Sequence, residues 1–318
     1  MLGVLIRIVG VLLLLTAFAL PLMRAPDRPV ETLVQRWAPP PSDFLDLQGQ
    51  LVHVRDEGPR GDALPLVLIH GTSASLHTFD GWAQALRGQR RVIRLDLPGF
   101  GLTGPHTGGH SGREYTPAND ARFVLEVLDA LGVQRFSIGG NSLGGEVAWR
   151  VAASAPQRVD KLVLIDATGY AFEPGAVPLA WRLARVPVAN QLLEHLLPRP
   201  LVVSGLVDCY GDPTRITEAL VDRYFELTLR QGNRRALVER LRALRLGDDE
   251  AQIATLKLPT LILWGGLDRL IAPSYAQRFA RDITGSQVHV FPSLGHVPHE
   301  EDPLVSVAPV KVFLGLAN

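Results

Sequence analysis

Cysteine is almost absent from this chain: Cys209 is the only one among 318 residues. A single cysteine excludes an intramolecular disulfide and any zinc site built from several thiolates. We expect Cys209 to serve as a small buried apolar side chain. The histidines outside the motifs described below show no ligand-like spacing, so neither a metal nor a cofactor is expected.

An excess of charge of either sign is also lacking. Lysine and arginine together number 32, as do aspartate and glutamate, and no long block of like charge occurs. This balance argues against nucleic acid or another polyanion as a partner, and it favours a small, largely uncharged ligand. The hydrophobic content of 47% is enough to fill the core of a large domain.

Residues 1–23 are almost wholly apolar, with Arg7 as their single charge, and Arg24 ends the run. We predict that residues 1–24 anchor the protein to a membrane through a single span. The alternative is a cleaved signal segment, because Ala17-Phe18-Ala19 offers a cleavage site; the mature protein would then be secreted or periplasmic. The flanking charges do not determine the side of the membrane. Residues 25–43, which contain three consecutive prolines, are predicted to be a linker.

From residue 44 onward, short apolar runs alternate with helical patterns. Residues 44–47 and 51–55 read as an antiparallel pair of strands. Later runs resemble buried strands, and they occur at 66–69, 92–95, 136–140, 162–166, 260–264 and 287–291. Helices are predicted between them, at 76–86, 117–131, 143–155 and 273–283, with a last helix from about 304. This rhythm predicts an α/β fold around a mostly parallel sheet.

The alternation fails over residues 170–255, where no buried strand stands out and the patterns are helical. The stretch is too long for a loop, so we predict a helical cap inserted between strands six and seven. The core is then divided into residues 44–169 and 256–318. The cap should form an apolar lid with Leu179, Trp181, Leu192, Leu193, Leu196, Tyr224 and Phe225.

The most informative motif is Gly140-Asn141-Ser142-Leu143-Gly144, which fits the G-x-S-x-G nucleophile elbow. A serine on a sharp strand-to-helix turn has a strained backbone, and a larger neighbour than glycine would clash with the adjoining strand and helix. The turn exposes the Ser142 hydroxyl. It also leaves the Leu143 N–H at the start of a helix, where it can stabilise an oxyanion.

A serine hydroxyl needs a base to remove its proton, and the base needs a third group to orient it. In this topology the expected chain order is nucleophile, acid, histidine. Asp268 and His296 each follow the end of a predicted strand, at the edge of the sheet where ligands bind in open α/β folds. The sequence therefore predicts Ser142, Asp268 and His296 as a catalytic triad.

Two rival assignments are open. Asp166 also ends a predicted strand, so it competes with Asp268 for the role of the acid. His299 lies three residues after His296 and could be the base, although a position at the rim or behind the triad is expected for it.

The motifs together resemble those of the α/β-hydrolase superfamily, and the resemblance covers residues 44–317. His70-Gly71 resembles the oxyanion loop of that family, and residues 96–101, which read DLPGFG, resemble its D-x-P-G-x-G signature. The elbow resembles the family's own. The resemblance implies the α/β-hydrolase fold, with helices on both faces of the sheet and a role for His70 in holding its loop.

The resemblance also implies roles for the site residues. Ser142 would be the nucleophile, with His296 as the base and Asp268 as its partner. The N–H groups of Leu143 and of Thr72 or Ser73 would form the oxyanion hole. A serine at the elbow argues against the dehalogenases and epoxide hydrolases of the superfamily, which use aspartate there.

We therefore expect a serine hydrolase that cleaves carboxylic esters of small or lipophilic substrates. The layout of anchor and lid resembles membrane-anchored monoacylglycerol lipases. An alternative is a carbon–carbon hydrolase of aromatic meta-cleavage products, because Asn141 and Gly145 of the elbow resemble the elbow of those enzymes. The stretch Thr72-Ser73-Ala74, in contrast, departs from the glycine-proline-glycine stretch that is usual in them. A non-catalytic binding protein on the same fold is the third hypothesis.

Overall fold

The computed structural model describes residues 24–171 and 195–317, together with the isolated residues Arg7, Gly10 and Val186. The predicted anchor therefore lies almost wholly outside the described residues, as does part of the predicted cap. In the part of the chain that is described, no helix is long and apolar enough to cross a membrane.

The core of the fold is a sheet of eight strands within the described residues. They are β1 Ser42–Leu47, β2 Gln50–Glu57, β3 Leu66–Ile69, β4 Val92–Leu95, β5 Phe136–Asn141, β6 Val159–Ile165, β7 Thr260–Gly265 and β8 Gln287–Phe291. Their order across the sheet is β1-β2-β4-β3-β5-β6-β7-β8. β2 is antiparallel to both of its neighbours, and the remaining strands are parallel. The predicted α/β class is confirmed.

Helices cover both faces of this sheet. In chain order, the described helices are α1 Glu31–Trp37, α2 Asp80–Leu86, α3 Pro117–Ala130, α4 Leu143–Ser154, α5 Arg199–Cys209, α6 Glu218–Thr228, α7 Asn233–Ala243, α8 Ser274–Asp282, α9 Pro298–Glu301 and α10 Pro303–Leu314. The predicted helix over 76–86 is a 3₁₀ turn, Leu76–Phe79, followed by α2. Helix α3 begins as predicted, because the Thr116 hydroxyl caps it by accepting from the Asn119 N–H.

Alternate residues of the central strands pack on opposite faces, which explains why these strands are apolar throughout. Leu66 and Leu68 of β3 pack with Trp82 of α2 and with α10. Val67 and Ile69 of the same strand pack on the other face, in a larger cluster with residues of α3, α4 and α8. Because both faces are buried, no polar alternation survives in the sequence of such a strand.

The described helices of the cap, α5 to α7, lie in the chain between β6 and β7. Leu206 of α5 and Val221 of α6 form a small buried cluster with Val297, which follows β8. The cap is therefore packed directly against the segment that carries His296.

Part of the predicted linker is folded onto the body. Helix α1 lies within residues 25–43, and its Leu33 is buried against Leu102 and Leu227. Arg36 forms ion pairs with Asp222 and Glu226 of α6 at 2.8 Å. The prolines alone suggested a spacer, whereas residues 31–37 bury an apolar face against the cap.

Candidate active site

Ser142 occupies the turn between β5 and α4 with φ 55° and ψ −119°, a left-handed backbone conformation. The flanking glycines are required by close contacts. A Cβ at Gly140 would lie 2.1 Å from the Gly144 carbonyl oxygen, and a Cβ at Gly144 would lie 2.1 Å from that of Ile69. The elbow thus has the geometry that its sequence predicts.

Ser142 and His296 line the same cavity, which has a volume of about 170 Å³. Its walls are mostly apolar, with Leu201, Leu206 and Val297 among them. Of the predicted lid residues, Tyr224 lines this cavity. Leu179, Trp181, Leu192 and Leu193 lie outside the described residues.

His296 is paired with Asp268. Its Nδ1 lies 2.8 Å from Asp268 Oδ2, and both side chains are buried. The other Asp268 oxygen accepts from the backbone N–H groups of Leu270 and Ile271, at 2.8 and 3.0 Å. Since a carboxylate can only accept, the Nδ1 of His296 carries the hydrogen and its Nε2 is left to accept a proton.

Asp166, the rival acid, lies beside this pair without bonding to the histidine. Its Oδ1 accepts from the Gly265 N–H at 2.8 Å, and its buried Oδ2 has no hydrogen-bond donor among the described residues. Burial, and then the nearby Asp268 carboxylate, raise the pKa of Asp166 well above its ordinary value. The geometry therefore favours Asp268 as the partner of His296.

His299, the rival base, is a core residue. Its ring stacks on Phe79 at a centroid distance of 4.3 Å, and neither ring nitrogen has a hydrogen-bond partner in the described part of the chain. Burial lowers the pKa of His299 to about 3. A histidine in this setting remains neutral, and it is absent from the walls of the cavity.

The loop after β3 borders the cavity through Thr72 and Ser73, the predicted oxyanion-hole residues. His70 holds this loop: its Nδ1 contacts the Gly71 carbonyl oxygen at 2.8 Å, and its Nε2 accepts from the Leu97 N–H at 3.0 Å. Leu143 is the first residue of α4, so its N–H is among those at the helix start that lack an acceptor within the helix.

The supporting roles of two residues were not predicted from the sequence. Asn141 donates through Nδ2 to the carbonyl oxygens of His296 and Ile165, at 2.8 and 3.2 Å. Glu301 accepts from three backbone N–H groups, those of Gly211, Asp212 and Gly295. No spacing rule links these positions to their partners, which the fold alone brings together.

One oxygen each of Asp166 and Asp268 and one nitrogen of His296 lie within 4.8 Å of one another, a grouping that could in principle hold a cation. The Nδ1 of His296 already donates to Asp268, so that nitrogen has no lone pair to offer a metal. The arrangement matches an acid–base pair better than a ligand set.

Comparison with known proteins agrees with this architecture. Residues 65–303 match the family of the alpha/beta hydrolase fold. Because the match covers most of the chain, the protein belongs to the α/β-hydrolase family.

Relatives within the family differ in their chemistry. The dihydrolipoyllysine-residue acetyltransferase component of an acetoin cleaving system from Pseudomonas putida is 30% identical over 82% of this chain; the chain spans 66% of that relative's length. The 2-hydroxymuconate semialdehyde hydrolase of Pseudomonas putida is 29% identical over 74% of this chain and 82% of its own length. A crystal structure of a bacterial membrane phospholipase A shares the fold, with a TM-score of 0.72 and 24% identity over 99% of this chain and 96% of that chain.

Proposed function

We propose that this protein is a serine hydrolase that cleaves carboxylic esters of small or lipophilic substrates through an acyl-enzyme on Ser142. One observation carries the proposal. The histidine that is hydrogen-bonded to Asp268 lines the same apolar cavity as the elbow serine. A base held by an acid, beside a nucleophile in a largely apolar space, is the arrangement that acyl transfer requires.

Each residue then has a defined role. Ser142 Oγ attacks the ester carbonyl carbon while Nε2 of His296 takes its proton, and Asp268 stabilises the resulting imidazolium. The N–H groups of Leu143 and of Thr72 or Ser73 stabilise the oxyanion. His296 passes the proton to the departing alcohol. Water then attacks the acyl-enzyme by the same route and releases the acid.

The charges of the cavity favour ester substrates over meta-cleavage products. Muconate- and dienoate-type substrates carry a carboxylate, which is normally met by arginine, lysine or several N–H groups. Among the described residues, the walls contain no arginine or lysine, and Asp208 is their one acidic side chain. Arg223 borders a small adjoining pocket, but its guanidinium is paired with Glu300. A neutral ester brings no carboxylate into the cavity, so no negative charge of the substrate is left without a cationic partner there.

We also propose that the apolar N-terminal segment attaches the protein to a membrane. Residues 1–23 carry one charge in the sequence. Where the described chain begins, Arg24 is bridged to Leu196, and Leu197 lines the cavity. Such an attachment would bring the cavity near a source of lipophilic esters. Membrane fractionation of the full chain and of a form lacking residues 1–23 tests the attachment.

The test of the activity is hydrolysis of p-nitrophenyl esters from acetate to palmitate by the full chain in detergent. Ser142→Ala and Asp268→Asn are measured beside it, together with cleavage of a meta-cleavage product. Ester turnover that is lost in Ser142→Ala supports the proposal, and the best chain length reports the size of the pocket. Turnover of the meta-cleavage product alone would replace the proposal with the carbon–carbon hydrolase. No turnover and no labelling by a fluorophosphonate would favour the binding protein.

A further inference from the structure

Asp166 is a buried carboxyl at the site whose chemistry the mechanism above leaves unused. It is fully buried at the end of β6, in a left-handed backbone conformation with φ 45°. Its Oδ2 has no donor partner among the described residues, although a buried polar atom normally has one. Since carboxylate oxygens cannot bond to each other, this atom needs a proton if it is to bond to the acid beside it.

The neighbour of Asp166 is the Asp268 carboxyl, and one oxygen of each lies within 4.8 Å of the other. The charge of Glu301 also raises the pKa of Asp166. A ring nitrogen of His296 lies within 4.8 Å of an Asp166 oxygen. Asp166 forms no ion pair with any described cation. Two adjacent buried carboxyls without a cation between them cannot both be ionised, so one proton must remain on the pair.

The hydrogen-bond donors decide which carboxyl keeps this proton. Asp268 accepts from three groups: the N–H of Leu270, the N–H of Ile271 and the Nδ1 of His296. Within the described ranges, Asp166 accepts from the Gly265 N–H alone. Donors stabilise the anion, so the negative charge belongs on Asp268 and the proton on Asp166.

We propose that Asp166 is a neutral carboxylic acid whose Oδ2–H donates a hydrogen bond to Asp268 and thereby holds that carboxylate in line with His296. Asp166 is thus a positioning residue that acts through Asp268. The inference rests on the proposed function, because it takes Asp268 as the acid of the triad. It replaces the view of Asp166 as a rival acid with a division of labour between a charged and a neutral carboxyl.

Asparagine is the matched probe of a neutral Asp166. Its Oδ1 can accept from Gly265 as before, and its Nδ2–H can replace the acid O–H as the donor to Asp268. Asp166→Ala removes both bonds. We expect Asp166→Ala to lower kcat for p-nitrophenyl butyrate about tenfold with little change in KM, because a loosened Asp268 misaligns the base. Asp166→Asn should restore kcat to within about threefold of the wild type, whereas Asp268→Asn should lose roughly ten-thousandfold.

The pH profile separates positioning from bulk packing. Loss of the donor leaves the Asp268 carboxylate with one stabilising hydrogen bond fewer, which strengthens its interaction with a protonated His296. The midpoint of the acid limb of kcat/KM should therefore rise by about half a unit in Asp166→Ala. In Asp166→Asn the midpoint should remain at the wild-type value. If Asp166 were ionised, Asp166→Asn would instead remove a negative charge near the imidazolium, and the midpoint would fall.

Infrared spectroscopy tests the proton itself without any substrate. At about pH 8, where ordinary aspartates are ionised, the full chain in detergent should show the C=O stretch of a protonated carboxylic acid. Asp166→Asn should lack this band, and the control Asp43→Asn, at an exposed position, should retain it. Absence of the band from the wild type, or a loss of kcat in Asp166→Asn as large as that in Asp268→Asn, would overturn the inference. Wild-type kcat in Asp166→Ala would overturn the positioning role. If the band is present but no ester is hydrolysed, it is the proposed function that fails.

Discussion

Nδ2 of Asn141 donates a hydrogen bond to the carbonyl oxygen of His296 at 2.8 Å. The residue before the elbow serine therefore fixes the backbone of the proposed base. A second bond from the same amide, to the Ile165 carbonyl oxygen at 3.2 Å, ties the elbow to β6. The arrangement explains an asparagine at a position where the elbow motif itself accepts any residue.

Replacement of Asn141 by alanine should therefore lower both stability and activity. It leaves two buried carbonyl oxygens without this donor, which costs about 1–3 kcal/mol of unfolding free energy. It should also lower kcat by roughly tenfold, because the His296 loop loses its tie to the elbow. Denaturant unfolding and ester kinetics measure the two effects. Asn119→Ala, at a half-buried position in the first turn of α3, is the control. An Asn141→Ala variant no worse than this control would show that the bond has no such role.

Glu301 links the cap to the segment that carries His296. Its Oε2 accepts from Gly211 and Gly295 at 3.0 and 2.7 Å, and its Oε1 accepts from Asp212 at 2.8 Å. Glutamine would present an amide N–H to at least one of these donors. We expect Glu301→Gln to lose about 1–3 kcal/mol of unfolding free energy and to have a lower kcat. The exposed Glu114→Gln serves for comparison, and equal unfolding midpoints in the two variants would contradict the linkage.

The buried His299 should make the protein less stable in acid. Its pKa in the folded state is about 3, below the value of about 6.5 in an unfolded chain. Between these values the unfolded state binds a proton that the folded state does not. For such a histidine, the free energy of unfolding therefore decreases by about 1.4 kcal/mol for each unit by which the pH is lowered.

The variant His299→Phe isolates this contribution. The free energy of unfolding of the variant relative to the wild type should rise by about 2 kcal/mol between about pH 6.5 and about pH 4.5. Denaturant titrations at several pH values measure it, with His289→Phe on the exposed face of β8 as the control for the added ring. A constant difference across this range would mean that His299 binds a proton as readily in the folded state as in the unfolded chain.

Asp208 should make the cavity selective against anionic esters. Two p-nitrophenyl esters of nearly equal shape, the hexanoate and the adipate monoester, differ by the charge at the far end of the acyl chain. We expect kcat/KM to be at least about tenfold lower for the monoester, because its carboxylate finds no cation in the described walls. Asp208→Asn should reduce the ratio of the two kcat/KM values severalfold. Equal rates for the two esters in the wild-type protein would reverse this view of the cavity.

Much of the core could be predicted because its determinants are local. Strand β3 is an apolar run bounded by polar segments, Thr116 caps α3, and Gly140 and Gly144 are required by a tight turn. The positions of Asp268 and His296 also follow from the ends of predicted strands. In each case the residue's neighbours in the chain carry the information.

Other features depend on distant contacts and could not be predicted. Helix α1 lies beside a run of prolines, and the cap against which Leu33 packs is nearly two hundred residues away. The choice between Asp166 and Asp268 depends on which carboxyl receives three hydrogen bonds, a property of the folded loops. His299 looks like a reactive residue in the sequence, although burial against Phe79 keeps it in the core.

The central claim, an acyl-enzyme on Ser142, can be tested by trapping the intermediate. The full chain is mixed with p-nitrophenyl acetate, quenched with acid during the first turnovers, and analysed by intact mass and peptide mapping. We predict a burst of p-nitrophenol and one acetyl group on the peptide that contains Ser142, with neither in Ser142→Ala. Continued ester hydrolysis by Ser142→Ala, or acetylation at another residue with Ser142 unmodified, would contradict the account.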